Sequence, residues 1–266
     1  MGEVNNYRKI RQMMQFSGPK DFYIVEAICR PKKDGESTLC GTTNNHTRML
    51  RLWTFYSVEE FDKHYTEIRD ICRANNARAY FLPQRRNTYL ALKALMANTL
   101  NSLDDASANF NRLISSSLCG CHLVADPHHK RWVIDLDRDS DEVMKAAKNW
   151  WTNGVGFGEP DEDEIFDDFV RYFADKLYQA LASTMRMTPE KEFMPNIKIG
   201  DYSASDITVL KTPHGMHIVT PPFNREPKAM QKFFGALCPK ADWIKPDAMT
   251  ILFAPEARAN FQEVKE

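Results

Sequence analysis

An α+β fold is predicted by three observations: strand-like runs that alternate apolar and polar residues, helical stripes between them, and turn residues at the joints. The chain has 266 residues, 43% hydrophobic and 27% charged, enough for a sizeable core in one large domain or two lobes. No apolar run reaches the ~18 residues of a membrane span. The opening residues 1–7 lack the apolar stretch of a signal peptide. These features predict a cytoplasmic protein with no membrane partner. Six cysteines (Cys29, Cys40, Cys72, Cys119, Cys121 and Cys238) follow no framework spacing. Free thiols are expected, with Cys29, Cys72 and Cys238 as small core residues.

In chain order, residues 22–29 and 48–56 read as strands, separated by a polar loop. Ser57 and Glu60 form a capping box, and Phe61, Tyr65, Ile68 and Ile71 give the following helix an apolar stripe. Residues 77–82 form another strand, ended by Pro83. A long helix over 89–117 is expected to turn Leu92, Leu95, Met96, Leu100 and Leu103 inward. Residues 131–137 then read as a buried strand ending abruptly in charge. A helix over 141–151 follows, and next a longer one over 161–185 that starts acidic. Residues 206–210 and 216–220 form a hairpin around Pro213-His214-Gly215. A helix over 226–237 and a strand over 249–253 complete the chain.

With the acidic segment at about 159–195 set aside as an insertion, residues 131–254 spell strand, helix, strand, strand, helix, strand. That is the split βαβ order of RNA-recognition-motif-like sheets, whose helices cover one face and leave the other for a site. The division expected is a basic αβ lobe over 1–130 and this βαββαβ lobe over 131–266. Residues 1–100 hold 16 Lys and Arg against 10 Asp and Glu, and the remainder 19 against 26. Such asymmetry suits a polyanion partner, although two solvated faces explain it equally well.

The chemistry centres on Val133-Ile-Asp-Leu-Asp137. Side chains alternate along a strand, so Asp135 and Asp137 share one face and Trp132, Ile134 and Leu136 the other. Two carboxylates so close repel unless a cation or protons compensate, and hard Mg²⁺ or Mn²⁺ prefers such oxygens. The competing reading is a strand ending at a solvated acidic turn, since Asp139 and Asp141 follow. Gly215 lets the hairpin backbone approach closely. The hairpin returns His217 towards the same sheet, with Lys211 at its start. Before the last strand, Asp242 offers a third carboxylate, with Asp247 as the alternative, and Lys245 a charge for phosphate.

In this order, Asp135-Leu-Asp137, Gly215-Met-His217 and Asp242 beside Trp243 resemble the motifs of the archaeo-eukaryotic primase superfamily. Residues 76–80, Asn-Ala-Arg-Ala-Tyr, are similar to a stretch in stand-alone primase-like proteins of phages and mobile elements. The resemblance implies a nucleotidyltransferase that extends nucleotides on a single-stranded template with two divalent metals. It implies metal ligation by Asp135, Asp137 and Asp242, with nucleoside triphosphate contacts from His217, Lys245, Gly215 and Lys211. It further implies a replication protein partner and a bacterial or phage-infected cell. Arg78, Arg85 and Arg86, beside Tyr80 and Tyr89, are candidate contacts for the nucleic acid. The long acidic insertion and the lack of a helicase domain depart from the family pattern, so a catalytically silent binding module on the same fold is the alternative.

Three weaker signals compete. Lys32-Lys-Asp-Gly35 fits the pattern of nucleic-acid ligases, whose lysine attacks a nucleoside triphosphate, but it also reads as a plain turn beside Pro31. Cys119, Cys121, His122, His128 and His129 carry enough soft ligands for a structural zinc, yet no standard knuckle spacing. Gly154, Gly156 and Gly158 open onto acids that repel phosphate.

Overall fold

The computed structural model describes residues 2–29, 48–102, 117–118, 130–154, 160–185, 194, 206–235, 239–246 and 248–256. Two antiparallel sheets and six α-helices make up these residues. The first sheet contains Val4–Asn5 (β1), Asp21–Cys29 (β2), Arg48–Phe55 (β3), Arg78–Asn87 (β4) and Thr250–Ala254 (β9), in the order β1-β9-β4-β2-β3. The second contains Trp132–Asp137 (β5), Thr208–Lys211 (β6), Gly215–Thr220 (β7) and Ile244–Lys245 (β8), in the order β6-β7-β5-β8.

One face of the first sheet is covered by α1 (Tyr7–Met13) and α2 (Val58–Asn75). The capping box is formed: the Glu60 backbone N–H donates to Ser57 Oγ at 3.2 Å, and the Glu60 carboxylate accepts from the Tyr56 N–H at 2.8 Å. Asn76, in the left-handed region at φ 49°, ends α2. Ile10, Phe61, Ile68 and Cys72 pack on Tyr23, Val25, Phe55 and Phe81, and Val133, Leu210 and Val219 join the same cluster from the second sheet. The two sheets therefore share a core.

The other face of the second sheet is covered by α4 (Asp141–Gly154), α5 (Glu162–Met185) and α6 (Pro227–Phe234). Phe166, Phe169, Phe173 and Leu177 of α5 are fully buried with Ile134, Leu136 and Ile218. The segment expected as an insertion is thus the principal cover of this sheet: its acids face solvent and its aromatic stripe fills the core.

Asn6 ties the sheets together at one edge. Its buried side-chain amide donates to Lys211 O at 2.7 Å and to Ile251 O at 2.9 Å, and it accepts from Lys211 N at 3.1 Å. Asn6→Ala is expected to destabilise the protein by about 2 kcal/mol, because it leaves backbone groups of two strands without this partner. Urea unfolding of the variant checks this.

Four expectations change. Residues 249–253 were expected to complete the βαββαβ lobe, but β9 lies in the first sheet between β1 and β4, and the two-residue β8 takes the place beside β5. Pro83 does not end its strand. β4 runs through it to Asn87, because pairing with β2 shifts between Ile24↔Leu82 and Phe22↔Arg86 and accommodates a residue without an N–H. In α3 (Thr88–Asn101), Leu92, Met96 and Leu100 are exposed with Tyr89, and the buried residue is Ala91. Cys29 is disulfide-bonded, against the free thiol expected, while Cys72 is free and buried. Among the described residues no helix is long and apolar enough to cross a membrane. Leu103, Lys32, Cys119, Cys121, His122, His128, His129, Gly156, Gly158, Cys40, Cys238 and Asp247 lie outside the described residues.

Candidate functional site

β5 is the central strand that builds the site. Ile134 and Leu136 enter the core beneath α4 and α5, which turns Val133, Asp135 and Asp137 to the opposite face. Val133 is sealed there against the first sheet, Asp135 is half-buried, and Asp137 is exposed. The face thus opens progressively along the strand, and the carboxylates stand where it reaches water.

β7 runs antiparallel beside β5 and places His217 directly opposite Asp135, and Gly215 opposite Asp137. His217 Nε2 lies 3.1 Å from Asp135 Oδ1. Its Nδ1 lies 3.0 Å from the hydroxyl of Thr250, on β9 of the other sheet. Gly215 is pressed onto β5: a Cβ there would lie 2.1 Å from Leu136 O and 2.9 Å from Arg138 N. The Arg138 N–H donates to His214 O at 2.7 Å, holding the hairpin turn down on β5. His214 Nδ1 in turn approaches Asp139 Oδ2 at 2.6 Å.

Loss of surrounding water pushes the Asp137 carboxyl above its ordinary range, and the neighbouring Asp135 charge adds to the push. His217 and His214 oppose it, and Asp139 reinforces it. The folded state therefore holds this proton more tightly than the unfolded chain, and the Asp137 contribution to stability falls as pH rises through the carboxylate range. Asp137→Asn is expected to gain stability relative to wild type at about pH 7, with the gain vanishing near pH 3. Denaturant unfolding at the two values, without added metal, measures it.

The remaining candidates divide. Lys245 pairs opposite Val133, on the carboxylate face of the sheet, and is exposed. Lys211 pairs opposite Met216, which puts it on the other face from His217. Asp242 sits exposed in a single 3₁₀ turn, Ala241–Trp243, before β8. Among the described residues no three His, Cys, Asp or Glu side chains are gathered to hold a metal ion.

Two of the three arginines expected to meet nucleic acid are buried. Arg85 is 3% exposed, donates to Gln15 O and Ser17 Oγ, and lies 3.4 Å from the Asp21 carboxylate. Arg86 is 4% exposed and opposite Phe22, and Arg78 lies opposite Ile28. Arg85 and Arg86 serve the interior of the first sheet. Sequence reasoning missed Thr250, His214 and Asp139. The turn Pro213-His-Gly signalled the second of these, whereas nothing local marks Thr250 as a partner of His217.

Comparison with protein-family models gives no match, and comparisons with curated proteins and with solved structures give none either.

Proposed function

We propose that this chain is a primase–polymerase-like nucleotidyltransferase acting on a single-stranded template. The observation that carries the reading is the direct opposition of Asp135 and His217 across β5 and β7, with Asp137 next along the same face. Two further features support it. The strand order β6-β7-β5-β8, antiparallel throughout, is the one expected of a split βαβ lobe with β5 first and central. The Asp137 carboxyl, raised first by loss of water and then by the Asp135 charge, is one whose ionised form a nearby cation would favour.

Asp135 and Asp137 are the residues to hold Mg²⁺ or Mn²⁺. Such an ion supplies charge stabilisation for phosphoryl transfer. Lys245, on the same face, is the group to neutralise an incoming triphosphate. In the presence of manganese, nucleotides and a primed single-stranded template, the protein is expected to extend the primer. Asp135→Ala together with Asp137→Ala is expected to abolish the extension. Calorimetry is expected to show triphosphate binding that requires the metal. A wild-type protein that binds metal and nucleotide but extends nothing would make the site a sensor instead.

A further inference from the structure

His217 bridges the two sheets, and the chemistry at its two ends sets the state of its ring. At one end lies Asp135 Oδ1, 3.1 Å from Nε2. A carboxylate oxygen only accepts, so the ring meets it with an N–H at Nε2. At the other end lies Thr250 Oγ1, 3.0 Å from Nδ1. Thr250 is 0% exposed, paired with Phe81 within the first sheet. Its buried hydroxyl lies within hydrogen-bond distance of Nδ1, which accepts the proton when the ring carries none there. An N–H at Nδ1 would leave that proton unused. Both ends therefore demand the same tautomer.

We infer that Thr250 is a positioning residue that fixes His217 as the neutral Nε2–H tautomer, so that the ring donates to Asp135 and orients its carboxylate. The line runs in one direction, from the Thr250 hydroxyl through the imidazole to the acid. It resembles the hydroxyl–imidazole–carboxylate lines of hydrolases, but a fully buried Thr250 is no nucleophile. With both ring nitrogens engaged, His217 acts through Asp135. Only the use made of the oriented carboxylate rests on the nucleotidyltransferase reading.

The test uses the full chain, metal-free and ¹⁵N-labelled at histidine, with His217→Gln to assign the ring. Imidazole ¹⁵N–¹H correlation is expected to show a protonated nitrogen at Nε2 and an unprotonated one at Nδ1. Thr250→Ser is expected to keep this signature, and Thr250→Val, which matches the shape without the hydroxyl, to lose it. A wild-type ring protonated at Nδ1, alone or together with Nε2, overturns the inference. So does a folded Thr250→Val protein with an unchanged ring. The wild-type spectrum decides the matter even where the valine variant does not fold. Manganese affinity is expected to fall about 10–100-fold in Thr250→Val and to be retained in Thr250→Ser. A wild type that binds no manganese counts against the proposed function and leaves the tautomer result standing.

Discussion

Asp206→Asn is expected to cost about 3–5 kcal/mol of stability, because it takes the paired negative charge from a buried guanidinium. Arg131 stands immediately before β5 and Asp206 shortly before β6, and both are 6% exposed. Arg131 Nη2 donates to Asp206 Oδ1 at 2.6 Å. Ion pairs at the surface contribute little, since water and salt screen them, but water does not reach this one. Removing one partner leaves a charge in a medium that solvates it poorly. Urea denaturation is the measurement. Replacing both partners, Arg131→Met with Asp206→Leu, is expected to recover much of the loss, because neither charge of the pair then remains buried. A single variant losing less than about 1 kcal/mol would mean that solvent reaches the pair after all.

Gly215→Ala is the second large effect, roughly 3 kcal/mol, at the upper end of what overpacking costs. The added methyl would sit 2.1 Å from Leu136 O, 2.9 Å from Arg138 N and 3.0 Å from Asp137 Cα. All three atoms belong to the β5 backbone or its extension, which cannot rotate aside as a side chain does. The strands must part at the end that carries Asp137. At about 2–4 °C per kcal/mol for a chain of this size, Tm is expected to fall by roughly 6–12 °C. Thermal unfolding followed by circular dichroism reads it directly. A variant with wild-type Tm would show that β7 slides on β5 without cost.

Much of the local structure was legible because its causes are local. Ser57 and Glu60 announced the start of α2, and the period-2 pattern through Trp132–Asp137 put both carboxylates opposite Ile134 and Leu136. The hairpin that returns His217 followed from its turn residues. What was not legible depends on contacts distant in sequence. Thr250–Ala254 is buried throughout, so its residues signal a central strand without saying which sheet receives it. The stripe Leu92, Met96 and Leu100 shows that these side chains share a helix face, not that the protein covers that face. Arg85 looked like a surface cation because its partner, Asp21, is 64 residues away and only the pairing of β2 with β4 brings them together. The shared face of Asp135 and Asp137 was legible, and their surroundings were not.

The position of β9 has a kinetic consequence. It lies between β1 and β4, so Val4 pairs with Ala254 and Asn5 with Phe253. A strand made early must wait for one made some 250 residues later before its sheet can close. Such contacts have high sequence separation and form slowly, because the entropy of closing the long intervening loop must be overcome before the contacts compensate it. Until then β4 presents an unpaired edge, the kind of surface on which nascent chains misassociate. Thr250, the anchor of His217, arrives on that same late strand. If Thr250 positions His217 as inferred above, the imidazole takes its final orientation only once β9 has joined the first sheet.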